Sequence, residues 1–273
     1  MKLSLWTHNG ALNSTPVFAA FARGCVHHGL TVVYNDPSAD VNVIWSVLWN
    51  GRMARNESVW RQGKPTIVLE VGGIKRGTTW KVGLNGINRD AFFSPSGNDN
   101  TRATTLGLKL KPWQASKETN PILICGQHEK SLQWATMPLM SQWVNQTIQT
   151  LKRYTNRPII FRPHPRCNVD INVTTQTPIK ITDSYDDFDM SFDNIHAVIS
   201  WSSNPGPQAI IAGIPVFCGP SSLAYDVSNT ELAAINNPIM PDREQWLNDY
   251  AHTEHTIEEI EQGFPHKYLT SLL

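Results

Sequence analysis

The chain has 273 residues, of which 40% are hydrophobic and 17% charged, and its 23 Lys+Arg balance its 23 Asp+Glu. That length suits one large domain or two of about 120–150 residues, and zero net charge supplies no global field for nucleic acid or membrane. The opening MKLSLWTHNG lacks the apolar centre of a signal peptide, and no apolar run reaches the roughly 18 residues of a membrane span, so the expectation is a cytoplasmic protein without a membrane partner.

KLSLWT (2–7) predicts the first strand. A helix follows over TPVFAAFARGCVHHG, with Thr15 as N-cap, Pro16 at the first helical position and Gly29 at its end. LTVVYN (30–35), NVIWSV (42–47) and PTIVLEV (65–71) read as strands, with RMARNESVWRQGK as a helix between the last two. From Gly72 to Thr119 glycine, serine and asparagine dissolve the pattern. NPILICGQ (120–127) starts it afresh, and PLMSQWVNQTIQTLKRYT (138–155) carries apolar residues near helical spacing. RPIIFRPHP, IKIT, HAVISW and IPVFCG are further strands. YDDFDMSF (185–192), GPQAIIAG (206–213), SNTELAAIN (228–236) and TIEEIEQGF supply helices.

Strands alternating with helices predict an α/β fold built on parallel sheets. The break near residues 112–120 predicts two Rossmann-like domains, 1–118 and 119–273, facing a central cleft, with the last helix able to return to the first domain. Open sheets of this kind bind ligands beyond the strand C-termini, which makes that cleft the expected active site.

Charge is uneven along the chain. Residues 50–117 hold 12 basic and 4 acidic side chains, whereas residues 168–273 hold 3 and 15. Such a basic stretch either steers a polyanion or solvates a surface. Cys25, Cys125, Cys167 and Cys218 form no CxxC pair, which argues against zinc and fits a reducing compartment. Cys125 and Cys218 sit in apolar runs and read as buried. No GxGxxG follows the first strand, which weighs against a dinucleotide oxidoreductase.

Three polar features fall at predicted strand ends of the second half. CGQHEKS gives Gly126 for a tight turn and Gln127, Lys130 and Ser131 as donors. FRPHPRC fixes Arg162, His164 and Arg166 on a turn stiffened by two prolines, which lowers the entropy needed to aim them. SWSSNPGPQAIIAGIPVFCGP ends a strand and sets Ser202, Ser203 and Asn204 before a helix starting near Gly206, where free backbone N–H groups suit a phosphate. If the strands are parallel, all three converge on one sheet edge.

These residues resemble a family. Ser-Ser followed by a helix with Ala-x-x-Ala-Gly-x-Pro-Val is similar to the donor-binding half of GT-B nucleotide-sugar glycosyltransferases. The RPHP turn resembles that of capsule-polysaccharide and Kdo-type transferases, and of phage-encoded glycosyltransferases that decorate hydroxymethylated pyrimidines in DNA. NPILICGQHEKS, VIWSVLW and IVLEVGGIKRGTTWKVGLNGINRD extend the likeness over residues 40–220. The resemblance implies a nucleoside-diphosphate sugar, UDP-sugar foremost, as co-substrate. It sets the donor against Gln127, Lys130, Ser131, Arg162, His164, Ser202, Ser203 and Asn204. Lys130, Arg162 and His164 then offset the charge of the departing diphosphate, and no obligatory metal or other cofactor is expected, since no DxD motif stands in a suitable loop and Asp186-Asp187 reads as a helix start.

An acceptor hydroxyl needs a base. Glu70, at the end of PTIVLE and before two glycines, is the first candidate, Asp90 the second and His8 the third, though Glu70 could equally be structural. Lys75, Arg76, Lys81 and Arg89, with Arg102, Lys109, Lys111, Trp80 and Trp113, offer the phosphate contacts and stacking surface of a nucleic-acid binder. With the resemblance, they make a 5-hydroxymethyl-pyrimidine base in double-stranded phage DNA the expected acceptor, in a host cytoplasm. A cell-surface or capsular glycan is the alternative acceptor. A nucleotide-sugar epimerase and a non-catalytic nucleotide-binding module are the alternatives to transfer.

Overall fold

The structure, a computed structural model, describes residues 1–11, 13–47, 59, 62–167, 169–180 and 188–273. In chain order its elements are β1 (Lys2–Leu5), α1 (Thr15–His27), β2 (Thr31–Tyr34), β3 (Val41–Trp45), β4 (Thr66–Val71), β5 (Thr79–Leu84), α2 (Thr101–Thr105), β6 (Ile122–Cys125), α3 (Met140–Leu151), β7 (Ile159–Arg162), β8 (Thr174–Thr175), β9 (Ala197–Ser200), α4 (Pro205–Ile211), β10 (Val216–Cys218), α5 (Glu244–Tyr250), β11 (Glu254–Thr256), α6 (Ile257–Glu261) and α7 (Phe264–Leu269). They form two compact units, residues 1–99 with 249–273, and residues 100–248. The fold is mixed α/β, with two sheets of mostly parallel strands. Among the described residues no helix is long and apolar enough to cross a membrane.

The first unit holds a six-stranded sheet in the order β11-β5-β4-β3-β1-β2. β4, β3, β1 and β2 run parallel, while β5 is antiparallel to both β4 and β11. Val17, Phe18, Phe21 and Cys25 of α1 are buried, at the helical spacing the sequence predicts. Gly24 lets α1 lie close to the C-terminal segment, since a Cβ there would stand 2.3 Å from the Ile260 carbonyl oxygen. Thr256 and Glu259 form a capping box that starts α6.

The second unit holds a five-stranded, all-parallel sheet in the order β10-β9-β6-β7-β8. All four residues of β6, Ile122 to Cys125, are buried, as expected of a central strand covered on both faces. Ile122, Ile124, Phe161 and Ile199 pack with Val144, Ile148 and Leu151 of α3. Leu123, Cys125 and Val198 pack with Ala209 and Ile210 of α4 on the other face. Residues of the 111–116 segment join this unit through hydrogen bonds. Arg243 donates to the carbonyls of Ile210 and Lys111 and lies 3.7 Å from the Trp113 ring centroid. His196 Nδ1 meets Ser116 Oγ at 2.7 Å.

Several predicted elements differ. The stretch 72–119 contains β5 and α2. Residues 188–192 carry no helix, and the 228–236 helix is reduced to a short 3-10 turn at Leu232–Ala234. Of the predicted IKIT strand, Lys180 forms an isolated bridge with Phe188, while Ile181 and Thr182 lie outside the described residues. Most of the helix expected over RMARNESVWRQGK, and Asp186 with Asp187, lie outside the described residues. Cys218 is half-buried, its Sγ 3.0 Å from Ser228 Oγ.

Candidate functional site at the C-terminal edge of the second sheet

β6 begins the second sheet, the chain builds β7 and β8 on one side of it, then returns to place β9 and β10 on the other. The switch point therefore lies beyond the C-termini of β6 and β9, where Cys125 stands level with Ser200. Cys125 is also level with Arg162 of β7. Parallel register thus brings the turns after three strands to one edge.

The turns interlock there. The Gly126 N–H donates to the Arg162 carbonyl at 2.9 Å. Gln127 is 6% exposed, and its Oε1 accepts both the N–H and the hydroxyl of Ser202, at 3.2 and 3.1 Å. With Oε1 so held, the Gln127 side-chain N–H groups are directed away from Ser202. The His128 and His164 rings meet edge to face with centroids 5.2 Å apart. Lys130 and Arg166 are exposed.

Other expected donors serve the frame. Ser131 Oγ accepts the Gln133 N–H at 3.4 Å and caps a short turn. Arg162 is 5% exposed and its guanidinium donates to the Asp189 carbonyl. Burial lowers its pKa from the ordinary arginine value. Asn204 occupies the N-cap of α4 without a side-chain capping bond, and α4 begins at Pro205. The buried hydroxyls of Ser200 and Ser203 have no hydrogen-bond partner among the described residues. Burial pushes the Cys125 thiol up to about 12, which leaves it inert as a nucleophile.

Trp201 was missed by sequence reasoning. Its indole lies against Gly219, where a Cβ would stand 2.5 Å from the ring, and its edge meets Trp134 at 6.4 Å between centroids. Nothing local in SWSSN distinguishes this ring from an ordinary core aromatic.

In the first unit the candidates divide between two edges. Glu70 lies near the C-terminus of β4, half-buried, with Oε1 accepting the Val71 N–H at 2.8 Å. His8 follows the parallel β1, so it shares that edge; it is exposed, and its N–H donates to Asn35 Oδ1. Asp90 and Arg89 do not. They follow β5, whose end is level with the start of β4, Leu84 opposite Ile67. The antiparallel turn of β5 carries them to the other edge. Lys75 and Arg76 lie in the turn between β4 and β5, beside the Glu70 edge. Lys81 is 3% exposed, so its ammonium is inside the unit and not on a surface for DNA; Arg102 is buried as well.

Glu254 was also missed. It is fully buried, and its carboxylate accepts the N–H of Gly73 at 2.7 Å, the N–H of Ile74 at 2.9 Å and the Thr79 hydroxyl at 2.7 Å. It fixes the glycine turn that follows Glu70. Among the described residues no three His, Cys, Asp or Glu side chains gather as metal ligands would.

No protein-family model matches the chain, and no curated protein matches it. Among solved structures, the chain is similar to a beta Kdo 2,7 transferase, KpsC of Thermosulfurimonas dismutans, at 15% identity and a TM-score of 0.49, over 98% of this chain and 100% of that one. It is similar to the beta Kdo 2,4 transferase of the same KpsC at 11% identity and a TM-score of 0.47, over 97% of this chain and 98% of that one.

Proposed function

We propose that the chain is a metal-independent glycosyltransferase of the GT-B type. It moves a sugar from a nucleoside-diphosphate donor, UDP-sugar foremost, to a hydroxyl acceptor. The observation that carries the reading is the interlock of three polar turns at one parallel-sheet edge: Gln127 on Ser202, Gly126 on Arg162, His128 on His164. That arrangement provides convergent N–H donors with two exposed cations, Lys130 and Arg166, which suits a diphosphate.

In the proposed reaction the bond from the anomeric carbon to the diphosphate oxygen breaks as the acceptor oxygen bonds to that carbon. Negative charge gathers on the departing diphosphate. Lys130, Arg166 and the N–H donors of Gln127 and His164 offset it without reorganising. Glu70 takes the acceptor proton, the N–H of Val71 orienting its carboxylate.

For the acceptor, the DNA reading drew on the basic stretch after Gly72. With Lys81 buried and Arg89 on the far edge, the cations of the basic stretch after Gly72 that stand beside Glu70, among the described residues of this unit, are Lys75 and Arg76. This supports a glycan hydroxyl over a hydroxymethylated pyrimidine in duplex DNA.

The test is release of nucleoside diphosphate from a panel of nucleotide sugars, with an oligosaccharide or hydroxymethylated duplex DNA as acceptor, in the presence of EDTA. Acceptor-dependent release, lowered by about 10²–10⁴ in Glu70→Gln, is the expected result. An isomerised donor without acceptor, or nucleotide binding without turnover, contradicts it. Turnover on the duplex alone contradicts the glycan acceptor.

A further inference from the structure

Two turns at the site repeat one device. β6 leads into His128-Glu129-Lys130, and β7 leads into His164-Pro165-Arg166. In each, the imidazole Nδ1 accepts the backbone N–H of the residue two places on, at 3.1 Å in both cases. That residue is a cation in both. Because β6 and β7 are neighbours in parallel register, the turns stand side by side and bring the rings together.

A ring nitrogen that accepts an amide hydrogen carries no proton. A neutral imidazole so held must carry its proton on Nε2, on the side of the ring away from its own turn. Adding a second proton at Nδ1 breaks the bond to the amide. The surroundings of His128 act in the same sense: burial, then Lys130 and Arg166, lower its pKa, with Glu129 opposing more weakly. The Glu129 carboxylate is itself engaged, accepting the Met140 N–H at the start of α3. Among the described residues, Arg162, held by the Asp189 carbonyl, and Cys167, whose backbone bridges to His164, also stand next to the pair in the chain.

We infer that His128 and His164 are a matched pair of neutral Nε2–H donors to phosphate oxygens, with the positive charge supplied by Lys130 and Arg166. This rests on the donor-site reading above and deepens it: the site grips a fully ionised phosphate without protonating a histidine. His128 thereby joins the site as a binding residue equal in role to His164.

Substitution by glutamine separates a neutral donor from a cation, because the Gln amide presents an N–H near the position of Nε2. Calorimetric titration of the full chain with uridine diphosphate at pH 8 should give a Kd for His128→Gln and His164→Gln within about threefold of wild type. His128→Ala and His164→Ala should weaken it about tenfold, the worth of one hydrogen bond to a charged group. Sulfate, a dianion at every pH used, should bind wild type with less than about threefold change between pH 6 and pH 8. Long-range proton–nitrogen NMR of wild type should show both rings as Nε2–H tautomers. Glutamine variants as weak as alanine variants, or sulfate affinity rising about tenfold per pH unit below 7, overturns the inference and leaves the donor site standing. Failure of wild type to bind either anion overturns both.

Discussion

Lys81 lies between two carboxylates on neighbouring strands. Glu70 of β4 and Glu254 of β11 each stand directly opposite it across an antiparallel pair, so the three side chains share one face of the sheet. Burial lowers the Lys81 pKa, with Glu254 and then Glu70 opposing the shift. A buried ammonium is tolerated only with such partners. Glu254 also receives two hydrogen bonds from the turn after β4 and one from the Thr79 hydroxyl at the start of β5. Glu254→Ala removes one of the two carboxylates opposite Lys81 and strands three donors, and should lower the stability of the first unit by about 3–5 kcal/mol. Glu254→Gln keeps acceptor capacity and should lose less. Urea unfolding followed by fluorescence checks both; a loss below about 1 kcal/mol in the alanine variant contradicts this role for Glu254. Arg162 is a similar case at the other site. Its substitution loosens the Asp189 segment as well as any bound anion, so His164 and Gln127 are the cleaner probes of binding.

At the scale of elements, what the sequence makes legible follows the kind of force involved. β6, β7, β9 and β10 are readable because strands buried on both faces need unbroken apolar runs, and ILIC and AVIS supply them. α3 is readable because Met140, Val144, Ile148 and Leu151 fall on one face. The convergence of the three turns follows from parallel strands alone. β5 is not readable, because TWKVGL carries a central Lys whose partner Glu254 arrives from the far end of the chain. β11 is hidden for the same reason: EHT becomes a strand only by pairing with β5. SNTELAAIN looks helical by composition but forms only a short 3-10 turn. In the site, Gln127, Lys130, His164 and Ser202 are legible as polar residues at strand ends. The duty of Arg162 as a brace, the position of Asp90 on the far edge and the pairing of His128 with His164 depend on contacts between segments remote in sequence.

At the scale of the whole molecule, buried histidines set the response to acid. His266 is buried against Phe21, with ring centroids 4.2 Å apart, and its Nε2–H donates to the Phe21 carbonyl at 3.0 Å. Its Nδ1 has no partner among the described residues, so a second proton there would be an unpaired buried charge. Burial therefore pushes its pKa down to about 4, from 6.5. His196 is lowered as well, burial being the main cause. Between these values the unfolded chain binds protons that the folded chain refuses, so stability falls as pH drops from about 6.5 toward 4. For His266 the loss amounts to about 3 kcal/mol. Thermal melts at stepped pH should show it, and His266→Gln should flatten the dependence; equal slopes contradict the assignment. The central claim is that the turns after β6, β7 and β9 jointly hold a nucleoside diphosphate. The most direct measurement is the change in melting temperature on adding uridine diphosphate at about a hundredfold excess over its Kd. The account predicts a rise on the order of 5 °C in wild type and its loss in His164→Ala, with the ligand-free melt of that variant within a few degrees of wild type. No rise with any nucleoside diphosphate, or a rise undiminished in the variant, would contradict it.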